Sequence, residues 1–217
     1  MARWLLVHPP LLGPAVLGPL AAELRTRGEV VEVPDLRTAV ELPRDWPERW
    51  ASAAAATGPA ASVLGFSGAG VTLPAVAAVV GARQVVWLDA LLPARSGATV
   101  ADDDLRARIP PLVEPDGRIR DWTAWWGPGA LDELVPDPQL RAAIRAEGHR
   151  LPGDFYDVPV HVPGAWPEDG ARYVQLSPAY DGAAAEARER GWPVVGGPGG
   201  AHLDVATDPV RVVDLLR

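Results

Sequence analysis

A chain of 217 residues with 48% hydrophobic and 22% charged residues suits one globular domain with a sizeable core, or one carrying a modest insertion. Its net charge of −8, with every one of the 20 Lys/Arg positions an arginine, argues against a phosphate-backbone footprint for nucleic acid, and the lack of cysteine excludes disulfides, thiolate chemistry and Cys-ligated metals. No apolar run approaches the length that spans a bilayer, so the expectation is a cytoplasmic protein whose partner is a small-molecule substrate, with no cofactor, metal, nucleic acid or membrane involved and a homodimer left open.

The chain opens on "RWLLVH" (3–8), an apolar run that reads as a core strand. The longer "MARWLLVHPPLLG" has the outline of a leader, but its arginine, His8 and two early prolines favour the strand. A helix follows near "AVLGPLAAELRTRG", with Gly28 placed to close it. Then come a short strand "EVVEV" (29–33), a helix "PRDWPERWASAAAAT" (43–57), a strand "ASVLGF" (61–66), a helix "VTLPAVAAVVG" (71–81) that Pro74 must kink or start late, and a strand "RQVVWLDA" (83–90). Strand and helix alternate four times in about ninety residues, the pattern of a mostly parallel, doubly wound α/β sheet. Enrichment in Ala, Pro, Gly and Arg over Lys has the pattern of a GC-rich bacterial coding bias.

From about 98 to 165 this rhythm stops. The segment is rich in Pro, Trp and charge, holds one clear helical run, "PDPQLRAAIRAEG" (136–148), and packs three tryptophans into "DWTAWWGPG". Alternation resumes with the strand "ARYVQLS" (171–177), the helix "DGAAAEARERG" (181–191), the strand "WPVVGG" (192–197) and the helix "DPVRVVDLLR" (208–217). Neither flank is complete alone, so an insertion within a single α/β domain is expected, placed as a cap over the strand ends where such folds bind ligands.

The candidate chemistry centres on Ser67. Gly65, Phe66, Ser67, Gly68 and Ala69 form a small-x-Ser-x-small pattern at the junction of a strand and a helix, where small neighbours permit a strained turn that lifts the serine Oγ above the sheet. "ARSGA" around Ser96 has the same pattern, but no helix follows it. A serine nucleophile needs a base, and His202 lies in "GGPGGAHLDV", a glycine-rich loop after the last strand that can fold back toward the strand ends. His8 reads as an anchor of the turn after the first strand, and His149 and His161 fall in the insertion with no partner evident.

Taken together, the strand ending in His8, G-x-S-x-A at 65–69, "WLDALLP" at 87–93, the Trp-rich insertion and the late glycine–His loop at 199–202 resemble the α/β-hydrolase fold, in particular its small esterase and hydroxynitrile-lyase-like branch. That resemblance spans nearly the whole chain. It implies Ser67 as nucleophile, His202 as general base and the Gly68 N–H as an oxyanion donor. Two departures stand out. The family usually follows its first-strand histidine with glycine and draws a second oxyanion N–H from the next residue. This chain runs His8, Pro9, Pro10, so Leu11 or Leu12 must supply that donor. The family's acid falls where "SPAY" (177–180) stands, which leaves Asp181, also suited to cap a helix, or Asp89 at the end of the fourth strand, and Asp89 is favoured because no helix start explains it. His8, Phe66, Trp122, Trp125 and Trp126 are candidate substrate contacts. The implied reaction is cleavage of an ester, thioester or lactone through an acyl-enzyme; a lyase or cyclase on the same scaffold, or a catalytically dead binding relative, are the alternatives.

Overall fold

The computed structural model describes residues 3–127 and 129–217. Met1 and Ala2, the start of the run weighed as a leader, and Pro128, within the Trp-rich run, lie outside the described residues. Among the described residues eight strands occur in chain order: β1 (Arg3–Val7), β2 (Val30–Glu32), β3 (Ser62–Ser67), β4 (Gln84–Ala90), β5 (Ala98–Thr99), β6 (Val160–His161), β7 (Ala171–Gln175) and β8 (Val194–Gly196). Six of them form one parallel sheet in the order β2-β1-β3-β4-β7-β8, while β5 and β6 pair with each other, antiparallel.

The helices are α1 (Gly18–Thr26), α2 (Trp46–Ala55), α3 (Leu73–Val80), α4 (Asp103–Arg108), α5 (Ala130–Leu134), α6 (Pro138–Ala146), α7 (Asp181–Glu189), α8 (Asp204–Thr207) and α9 (Pro209–Leu215). Pro74 delays its helix, as its sequence position predicts: α3 begins only at Leu73, after a 3₁₀ turn over Gly68–Thr72. Gly28, at φ +88°, ends the first helical run in the left-handed region that glycine enters without penalty.

Both faces of the sheet are covered, which is why its strands are apolar almost without interruption. The pleat sends neighbouring residues to opposite sides: Leu5, Val63, Val85 and Tyr173 join one core with α2, α3 and α7, while Leu6, Leu64, Val86 and Val174 join the other with α1 and α9. The 98–165 segment is not a separate body, because Ile109, Ile119, Leu151 and Phe155 belong to the first core and Leu131, Val135 and Ile144 to the second. Its ends are joined where Ala98 pairs with His161 and Thr99 with Val160. It also carries more order than the sequence led us to expect. Besides α6 it holds α4, capped by the Asp102 carboxylate on the Leu105 N–H at 2.7 Å, and the short α5.

The strand order fixes where a ligand can bind. The chain leaves β1 for the edge strand β2, then recrosses to β3, so the loops after β1 and β3 run apart and open a crevice above their carboxyl ends. Among the described residues no helix is long and apolar enough to cross a membrane.

Candidate active site

The crevice is a cavity of about 820 Å³ whose wall includes Pro10, Leu11, Phe66, Ser67, Tyr180 and His202. Ser67 ends β3 at φ 55° and ψ −126°, a backbone state that L-residues rarely adopt and that persists only where the surroundings impose it. Those surroundings are small. A Cβ on Gly65 would meet the Leu73 side chain at 2.7 Å, and one on Gly70 would sit 2.0 Å from the Leu91 carbonyl oxygen. The turn is pinned to β4 by the Leu91 N–H on the Ser67 carbonyl at 3.0 Å and the Trp87 indole N–H on the Gly70 carbonyl at 2.9 Å.

Asp89 is strained in the same way, at φ 42°. Phe66 pairs with Leu88 but Ser67 with Ala90, so Asp89 is the extra residue of a bulge, and the bulge turns its carboxylate out of the strand's alternation toward β7 and the cavity floor. There it is fully buried and saturated with donors. Oδ1 accepts the Leu176 and Ser177 N–H groups at 2.9 and 3.1 Å; Oδ2 accepts the Ser177 hydroxyl at 2.6 Å and faces His202 Nδ1 at 2.8 Å. An acceptor-only carboxylate at that distance assigns the proton to Nδ1, so His202 Nε2 carries the free lone pair of a base. The imidazole is stacked against Phe66, with centroids 4.5 Å apart at 24°, and against Tyr180, 4.9 Å apart at 19°. Tyr180 Oη in turn lies 3.0 Å from Ser67 Oγ.

No protein-family model matches the sequence, and no curated protein is similar to it. Solved structures are. An extracellular alpha/beta-hydrolase from a Paenibacillus species superposes with a TM-score of 0.67 at 17% identity, covering 100% of this chain and 98% of its own. A pyrethroid hydrolase from Sphingobium faniae gives 0.70 at 19% identity over 99% and 95% of the two chains. Tomato methylketone synthase I, in complex with 2-tridecanone, gives 0.69 at 15% identity over 99% and 96%. The chain has the α/β-hydrolase fold.

On this α/β-hydrolase scaffold, Ser67, Gly68, Leu11, Phe66, Trp125, Trp126 and His202 all line the one cavity, with Asp89 directly beneath His202. Trp125 and Trp126 stand at its rim, Trp126 being 58% exposed, whereas Trp50 and Trp87 fill the core. Ser96 is exposed on the loop before β5 and lines no part of the cavity. Asp181 does not meet His202: it opens α7, where negative charge suits the helix N-terminus, and its carboxylate accepts from Gln175 Nε2. Of the two amides weighed as second oxyanion donor, that of Leu12 is engaged with the Pro9 carbonyl at 3.0 Å, while the Leu11 N–H makes no hydrogen bond among the described residues. Tyr180 and Ser177 were not anticipated. The signal was present in "SPAY", which puts a hydroxyl where the fold commonly has its acid, and Ser177 supports the Asp89 carboxylate from that position.

His8 needs correcting as a substrate contact. It is fully buried, stands behind the cavity wall and holds the loop after β1, its Nδ1–H donating to the Pro9 carbonyl at 3.0 Å and its Nε2 accepting the Leu36 N–H at 2.9 Å. Burial lowers its imidazole from 6.5 to about 4. Between those values the unfolded chain binds a proton that the folded one refuses, so stability rises with pH across the window. The resulting penalty is absent above pH 6.5 and grows as pH falls toward 4, where it reaches about 3 kcal/mol. His8→Gln keeps an acceptor for Leu36 without the titration. Urea midpoints at pH 7 and pH 4.5 should therefore fall less in His8→Gln than in wild type, and an equal fall would refute this account of His8. His149, also lowered by burial, acts in the same direction in both proteins.

Proposed function

We propose that the protein is a serine hydrolase that cleaves an ester, thioester or lactone of a small molecule in the cytoplasm through an acyl-enzyme on Ser67. The observation that carries this reading is the pairing of the buried Asp89 carboxylate with His202 at 2.8 Å, with His202 and a serine held at φ 55° lining one cavity. His202 Nε2 takes the Ser67 proton as Oγ attacks the carbonyl carbon, and Asp89 keeps the imidazole in the required tautomer and stabilises its cation. The Gly68 and Leu11 N–H groups are available to the developing oxyanion. As the intermediate collapses, His202 returns the proton to the departing alcohol; a water, deprotonated by the same nitrogen, then releases the acid. The names of the structural neighbours, an alpha/beta-hydrolase and a pyrethroid hydrolase among them, support a hydrolytic reading. The 98–165 segment acts as a lid, with Trp125 and Trp126 as apolar contacts for substrate.

Stopped-flow hydrolysis of p-nitrophenyl butyrate tests it. The expected result is a burst of p-nitrophenol stoichiometric with enzyme, absent in Ser67→Ala, whose thermal midpoint stays within a few degrees because the substitution removes one hydroxyl from a strained turn. Turnover that survives Ser67→Ala would overturn the acyl-enzyme.

A further inference from the structure

In the resting site the Ser67 hydroxyl is bonded to a phenol. Tyr180 Oη is 3.0 Å from Ser67 Oγ, whereas His202 Nε2 makes no hydrogen bond among the described residues. The same tyrosine lies flat on the His202 ring, so one side chain touches both groups that exchange the proton. Burial pushes its phenol up to about 12, which keeps it protonated, and able to donate, at neutral pH. The loop that should face it across the cavity is short of donors. Pro9 and Pro10 have no N–H, and the Leu12 N–H is engaged with Pro9, which leaves the Leu11 N–H as that loop's one free amide among the described residues.

From this geometry, and resting on the serine-hydrolase reading above, we infer that Tyr180 is a catalytic residue whose O–H donates to the oxyanion beside the Gly68 and Leu11 N–H groups. When Oγ bonds to the substrate carbon, the carbonyl π pair moves onto oxygen and the Ser67 proton moves to His202. The oxyanion is then two bonds from Oγ, within the swing of a hydroxyl already in contact with Oγ. Tyr180 keeps its proton throughout, turning its donor bond from Oγ to the oxyanion and back as the carbonyl reforms. In the resting enzyme that bond also leaves Oγ with its own proton free to point at His202.

Tyr180→Phe removes the O–H and keeps the ring on His202. With p-nitrophenyl butyrate the expected result is a fall in kcat of about 10²–10³-fold, the usual effect of losing one oxyanion donor, with KM little changed. The pH dependence of kcat should not move, because the substitution leaves the Asp89–His202 pair in place. The thermal midpoint should match that of Ser67→Ala, which loses the same hydrogen bond. A kcat within tenfold of wild type, a change confined to KM, or a midpoint well below that of Ser67→Ala would overturn the role. Failure of the underlying reading has a different signature: wild type itself would show neither a burst nor a covalent fluorophosphonate adduct on Ser67, and the role of Tyr180 would fall with it.

Discussion

Asp89→Asn is expected to slow ester turnover by about 10⁴-fold in a protein that still folds. The carboxylate has two sides. Oδ1 receives the backbone N–H groups of Leu176 and Ser177, and Oδ2 receives the Ser177 hydroxyl and faces His202 Nδ1. An asparagine satisfies the first side with its carbonyl oxygen, so the floor of the site stays assembled. Its NH₂ must then face His202, which forces Nδ1 to accept and moves the imidazole proton to Nε2, the nitrogen that takes the Ser67 proton in the proposed mechanism. Facing the NH₂ the other way would bury two unsatisfied backbone donors, at about 1–3 kcal/mol each. The check is kcat/KM together with the thermal midpoint, run beside Asp181→Asn, which should leave turnover close to wild type because its carboxylate serves Gln175 at the start of α7. A slow Asp181→Asn with a fast Asp89→Asn would reverse the assignment.

The second large effect is structural. Gly70→Ala should cost about 3 kcal/mol or more and remove activity with it. The added methyl would lie 2.0 Å from the Leu91 carbonyl oxygen, 2.9 Å from Trp87 Cδ1 and 3.0 Å from Ala90 Cβ, so either the turn after β3 or the end of β4 must move. Ser67 stands on the first and Asp89 on the second, and no relaxation keeps both in place. Gly68→Ala is the control, since its methyl meets only Pro10 Cδ at 3.6 Å, an ordinary contact. Urea midpoints should separate the two variants clearly, and similar midpoints would show that the turn is looser than these contacts require.

What the sequence disclosed was local. The step from the apolar "SVLGF" into small residues and a helix marks Ser67 because strand, turn and helix are contiguous there, and the glycine loop before His202 follows its strand directly. The βα alternation predicts the parallel sheet for the same reason. What escaped notice is non-local. Tyr180 and Ser67 are 113 residues apart, and no periodicity reports such a meeting; His202 and Asp89 are equally far apart, and the sequence favours that pairing only because no helix start explains Asp89. The bulge that turns Asp89 depends on the register between β3 and β4, which neither strand carries alone. Helices as short as α4 and α5, and the two-residue strands β5 and β6, hold only through packing against the rest of the chain, so their sequences carry little helical or strand pattern to read.

The central claim is that Ser67 is a nucleophile activated by His202. Incubation with a fluorophosphonate, followed by peptide mapping in a mass spectrometer, addresses it directly, because the reagent phosphonylates a serine only where a base activates it and an oxyanion site accepts the P–O group. The account predicts one adduct per chain, on Ser67, formed much more slowly in Asp89→Asn. An adduct on Ser96 or another serine, or none in protein that turns over an ester, would contradict it.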